Sequence, residues 1–127
     1  DSIKYLSKIK NTLKYQIIIL SNLPHHNRKK REISFKNNGL DFPIISNSGL
    51  KGRAIKEIAK KQKNKIFFID DISANLLSAY NEVDGIKLIH YISDKRLKKL
   101  ATTPQEVDLK ANDWGEIYNY LEDETRR

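Results

Sequence analysis

Apolar positions along the chain change their period several times, and each change predicts an element. Ile3, Leu6, Ile9 and Leu13 recur at helical spacing, so residues 2–13 read as an amphipathic helix. "QIIIL" at 16–20 is an unbroken β-branched run, the pattern of a strand covered on both faces. "NRKKREISFKNNGL" is compatible with a helix that Gly39 ends through a left-handed cap. "FPIIS" at 42–46 predicts a short strand with Pro43 at its first residue or on an edge. "RAIKEIAKK" follows, with Ala54, Ile55, Ile58 and Ala59 on one helical face.

The second half repeats the alternation. "KIFFI" at 65–69 predicts a buried strand, and Asp70 and Asp71 end it. Ser73 is placed to cap a helix whose Leu76, Leu77, Tyr80 and Val83 form one stripe. "DG" at 84–85 turns the chain into the strand "IKLIHYI". The polar stretch "SDKRLKKLATTPQEVDLKAND" predicts a short helix and then irregular chain. Asp113 and Glu116 have capping-box spacing, ahead of a final helix carrying Trp114, Ile117, Tyr118 and Leu121. Strands separated by helices of about ten residues predict an α/β fold with a mainly parallel sheet, Rossmann-like in three α/β/α layers. Ligands of such sheets bind beyond the carboxyl ends of the strands. Attention therefore falls on Ser21-Asn22, on Asn47 to Lys51, and on Asp70-Asp71.

Composition narrows the setting. A chain of 127 residues, 39% hydrophobic and 31% charged, is expected to fold as one soluble domain spanning 1–127. Its apolar runs are too short to span a bilayer, so no membrane partner is expected and the cytoplasm is the default location. Without Cys there are no disulfides or thiolate metal sites. A formal net charge of +8 favours acidic partners such as phosphorylated metabolites or nucleic acid. The same charge also fits a general abundance of Lys. Met is absent even at position 1, which leads us to expect that the sequence is the C-terminal portion of a longer protein.

Three sets of residues carry candidate chemistry. Adjacent carboxylates at a strand mouth repel, and a divalent cation offsets that cost; Mg²⁺ takes one or two carboxylates plus water and phosphate oxygens. Helix capping by one Asp, with the other in water, is the alternative for Asp70 and Asp71. Lys51 in "NSGLKGRAI" stands where a helix starts, opposed to the positive end of the helix dipole, which an anion would explain. Gly49 and Gly52 would admit close backbone approach to such a ligand. A solvated surface Lys beside two turn glycines is the competing view. Ser21 can donate to a phosphate oxygen or cap a turn, with Asn22 beside it. His25 and His26 read as loop or helix-start residues bordering the site, with Arg28 nearby, rather than as metal ligands.

The order hydroxyl, Lys, acidic pair, each after a successive strand, resembles the haloacid dehalogenase-like hydrolase superfamily. "IIILSN" is similar to its second motif, "NSGLKG" to its third and "FFIDDISAN" to its fourth. The run "SNLPHHNRKKREISFKNNGLDFPIISNSGLKGRAI" resembles an uncharacterised bacterial branch of it, and the likeness extends over residues 1 to 121. The first motif, Asp-x-Asp on an apolar strand, has no counterpart. That strand would lie between those ending at Ser21 and Asp70, so the core is expected to lack its first central strand.

The resemblance implies a Mg²⁺-dependent phosphatase acting on a small phosphorylated metabolite. An Asp outside this sequence would attack the phosphoryl group and form an aspartyl-phosphate, with a second Asp as general acid and base. Asp70, with Asp71, would hold Mg²⁺; Ser21, Asn22 and Lys51 would bind phosphoryl oxygens, and Lys51 would also steady the nucleophile. The chain alone would then be inactive. Competing readings are a phosphate-binding or structural module that has the fold but no reaction and, more weakly, a nucleic-acid-binding domain built on "NRKKR", "KKQKNK" and "DKRLKK". A phosphorylation receiver domain uses similar residues in the reverse order.

Overall fold

The computed structural model describes residues 2–22, 25–37, 39 and 41–127, with the side chains at 25–28, 31 and 35 outside that description. The fold is α/β. In chain order the elements are α1 (Ser2–Asn11), β1 (Ile19–Ser21), α2 (His25–Asn37), β2 (Ile44–Ser46), α3 (Gly52–Ala59), β3 (Phe67–Asp70), α4 (Ser73–Glu82), β4 (Lys87–Tyr91), α5 (Lys95–Leu100), β5 (Leu109–Ala111) and α6 (Trp114–Thr125). Among the described residues every strand pair is parallel, in two sheets of order β1-β2 and β3-β4-β5.

The chain divides into two compact units, one of residues 1–49 with 118–127, the other Leu50–Ile117. In the first, β1 aligns Ile19, Leu20 and Ser21 with Ile44, Ile45 and Ser46 of β2. The "QIIIL" run gives a ladder of only three residues. Ile19 N–H donates to the Pro43 carbonyl at 2.9 Å, and Pro43, lacking an N–H, cannot extend the pairing. Among the described residues of this unit, Ile9, Phe42, Ile44, Tyr118 and Leu121 are the buried apolar ones. The Lys8 ammonium stands 4.5 Å from the Tyr118 ring centre and 5.5 Å from that of Tyr5, so its charge lies over two aromatic faces. Gly39 takes φ +75° just past α2, as a left-handed helix end requires.

The second unit centres on β4. Leu88, Ile89 and His90 are buried there, with β3 on one side and β5 on the other. Ile55 of α3, Leu76 and Ala79 of α4, then Val83, Ile86, Ala111 and Ile117 complete the apolar interior. Helices α3 and α4 meet closely at Gly52, whose N–H donates to Ser78 Oγ at 3.0 Å. Gly85, at φ +75°, makes the turn expected of "DG".

Three local expectations are corrected. Ile72, not Ser73, occupies the N-cap of α4; Ser73 is the first helical residue, and its hydroxyl donates to the Thr102 carbonyl at 2.8 Å. Tyr80 leaves the buried stripe and is exposed, while Asn75 joins it. The polar tail contains β5, three residues whose single ladder to β4 is too short to impress a period on the sequence. The Asp94 carboxylate accepts the Arg96 N–H at 2.9 Å, which caps α5 and holds its pKa below the ordinary carboxylate value. Asp113 Oδ1 accepts the Glu116 N–H at 2.9 Å, but Glu116 closes the start of α6 on the N–H of Asn112 rather than of Asp113. No helix among the described residues is long and apolar enough to cross a membrane.

Candidate functional site

Asp70 is the last residue of β3, and the strand drives its carboxyl group into the protein, where 2% of the side chain is exposed. A buried carboxylate is tolerable only with its oxygens bonded. Oδ1 accepts the Ile72 N–H at 2.8 Å, an Asx-type turn that carries the chain from strand to helix. Oδ2 accepts from the Lys51 ammonium at 2.8 Å, with the Asn75 amide at 3.5 Å.

Lys51 reaches that carboxylate because of what surrounds its backbone. Gly49 turns the chain at φ +78°, and Lys51 then takes the N-cap of α3, its carbonyl accepting the Ile55 N–H at 3.1 Å. A cation opposed to the helix dipole is here explained from inside the protein: its anion is the Asp70 carboxylate. One of the three ammonium donors is thereby used, and 15% of the side chain is exposed. Gly52 serves packing rather than a ligand. A Cβ at that position would come 2.4 Å from both the backbone oxygen and the hydroxyl of Ser78.

Asp71 completes the cluster. The residue is exposed, yet partial burial of its carboxyl group, together with the Asp70 carboxylate beside it, pushes its pKa up; Lys51 pulls weakly the other way. The ionised form is thus disfavoured in the fold. Its cost is absent below the ordinary carboxylate pKa of about 3.9 and grows as pH rises through the raised value. Asp71→Asn is accordingly expected to raise Tm at pH 7, by a small amount because water screens an exposed charge, and to leave Tm unchanged near pH 3. Thermal melts of both chains across that range check the sign.

One cation facing two carboxylates leaves the cluster negative. Such a site repels a phosphate dianion unless a cation joins it. The donors are hard oxygens of the kind Mg²⁺ prefers, and two carboxylates with water or phosphate in the remaining positions is an ordinary set for that ion. Asp70 brings oxygens already bonded to Lys51 and Ile72. Among the described residues no group of three or more His, Cys, Asp or Glu could hold a metal without outside ligands. The adjacent carboxylates of Asp70 and Asp71 are the donors that such an ion would meet here.

Ser21 and Asn22 belong to the first unit. Ser21 is buried, and its carbonyl accepts the Asn47 N–H at 2.8 Å. The Asn22 amide donates to the Gly49 carbonyl at 3.0 Å, and its oxygen accepts from the Asn47 amide at 3.2 Å. These bonds brace the Asn47–Gly49 turn from within that unit. Lys51, Asp70 and Asp71 come together in the second. The side chains of His25, His26 and Arg28 lie outside the described residues.

Two residues of the cluster's surroundings escape a reading by motif. Asn75, five positions after Asp70, is buried against it. His90, in register beside Asp70 on β4, is 2% exposed and sits between Asp71 and Thr103. The signal for His90 was present as a polar residue in the run "KLIHY", where a buried strand offers no water. The chain matches no protein-family model, no curated protein and no solved structure.

Proposed function

We propose that the Lys51–Asp70–Asp71 cluster is the phosphate- and Mg²⁺-binding part of a haloacid dehalogenase-like phosphohydrolase. Its substrate class is small phosphorylated metabolites, its setting the cytoplasm, and its nucleophilic Asp lies outside this sequence. The α/β architecture is then the Rossmann-like core of that superfamily. The observation carrying this reading is the 2.8 Å ion pair between Lys51, at the start of α3, and Asp70, at the carboxyl end of β3. It joins the residues that are likened to the third and fourth motifs, at the rim of a parallel sheet where ligands of such folds bind.

In this reading Asp70 orients the Lys51 ammonium, and the remaining ammonium donors face the phosphoryl oxygens. Asp71, with Asp70, would hold Mg²⁺. The ion would neutralise phosphoryl charge and so offset the negative balance of the two carboxylates.

Titration of the chain with MgCl₂, followed by inorganic phosphate, tests it by amide NMR. Mg²⁺ is expected to shift the Asp71 and Ile72 amides, Asp71→Asn to weaken that response by roughly tenfold (about 1.4 kcal/mol), and phosphate to bind only once Mg²⁺ is present. The chain alone is expected to hydrolyse no phosphomonoester. A Mg²⁺ response indifferent to Asp71→Asn would remove the metal assignment, and robust hydrolysis would place the nucleophile within these residues. A second reading, the same architecture with no reaction, is favoured by one observation: both Asp70 oxygens are already bonded inside the protein. It predicts no Mg²⁺ response at all.

A further inference from the structure

His90 occupies the centre of β4, the middle strand of its sheet, where an imidazole is costly unless both ring nitrogens are bonded. Both are. Nε2 lies 3.0 Å from the Asp71 carbonyl oxygen and Nδ1 lies 2.8 Å from Thr103 Oγ1. A carbonyl oxygen only accepts, so Nε2 carries the hydrogen; in the neutral ring Nδ1 is then the acceptor, and the Thr103 hydroxyl donates.

The two partners stand on different loops. Asp71 follows β3, and Thr103 lies between α5 and β5. A second bond spans the same two loops, from the Ser73 hydroxyl to the Thr102 carbonyl at 2.8 Å. At its far end the α5–β5 loop is fastened to β4, since the Asp108 carboxylate accepts the Leu88 N–H at 2.8 Å and Asp108 N–H donates to the Leu88 carbonyl at 2.9 Å. The acid loop is therefore held from two sides. The Asx-type turn of Asp70 fixes it toward α4, and His90 fixes the Asp71 peptide toward the neighbouring loop.

We propose that His90 is a positioning residue, which ties the Asp70–Asp71 loop to the Thr102–Thr103 loop and so sets where the Asp71 carboxylate stands. The inference uses only this geometry and holds whether or not the cluster is catalytic. A merely space-filling His would affect overall stability too, but it would leave the acid loop no more fixed than its neighbours.

Nitrogen NMR of the imidazole and amide hydrogen exchange test the assignment on the full chain. The ring is expected as the Nε2–H tautomer. In His90→Ala, exchange of the Ile72 amide is expected to rise about tenfold beyond any change at Val83, which reports the far end of α4. His90→Gln places an amide N–H near the Nε2 position and is expected to restore slow exchange at Ile72. Thr103→Val should loosen Ile72 and Thr103→Ser should not; this pair decides the matter if His90→Ala fails to fold. An Nδ1–H tautomer, parallel acceleration at Ile72 and Val83, or equal behaviour of Thr103→Val and Thr103→Ser would overturn the proposal.

Discussion

Lys51→Met is expected to cost about 3–5 kcal/mol of folding stability, with a fall in Tm on the order of 10 °C. The size follows from burial. Lys51 and Asp70 pair at 2.8 Å with the Asp70 side chain 2% exposed, so removing the ammonium leaves a carboxylate in the interior with no countercharge. The bonds from Ile72 and Asn75 do not supply a positive charge. The companion change Asp70→Asn should cost less, because the Lys51 ammonium keeps an exposed path to water. Combining the two should recover most of the loss, because the double variant buries no charge, and the cycle then shows a large favourable coupling in the native pair. Urea denaturation of the four chains measures it. A loss below about 1 kcal/mol for Lys51→Met would class the pair with surface ion pairs and remove the buried site on which the functional reading stands.

Gly52→Ala is the second change with a large expected effect, and its sign opposes local preference. Within a helix Ala is favoured over Gly by about 0.5–1 kcal/mol. Here the new methyl group would lie 2.4 Å from the Ser78 carbonyl oxygen and 2.7 Å from its carbonyl carbon, and backbone in the middle of α4 cannot step aside. We expect a net loss of about 2–3 kcal/mol from overpacking. Ser78→Gly in the same chain removes the hydroxyl contact but also the acceptor of the residue-52 N–H, leaves the backbone contact in place, and should restore nothing. Because Gly52 adjoins Lys51, the separation of α3 from α4 should also weaken the Lys51–Asp70 coupling. Stability at or above that of the native chain in Gly52→Ala would mean that the two helices are not in close contact there.

The strand-to-acid junction at Phe67–Asp71 and the helix behind Lys51 were legible because each rests on a local signal, a continuous apolar run or a 3.6-residue period. The Ala54, Ile55, Ile58 and Ala59 face is the inward face of α3, as its spacing predicts. The turns at Gly39 and Gly85 were equally plain, since a positive φ is a property of one residue. β5 was not legible, for its existence depends on β4 offering an edge. The ladder at "QIIIL" was overestimated because its length is set by Pro43, more than twenty residues further along the chain.

Within the candidate cluster, residue types alone singled out Lys51, Asp70 and Asp71, because a cation at a helix start and two adjacent acids are each unfavourable without a partner. What those partners are is a tertiary matter. Pairing β3 with β4 in register brought His90 beside Asp70, and the approach of α3 to α4 at Gly52 brought Lys51 within reach of a carboxylate nineteen positions away. Local order thus came from the chain's own periodicity, which acts over a few residues. The charge balance of the site was decided by packing, since the energy of a buried charge depends on what stands next to it and not on what precedes it.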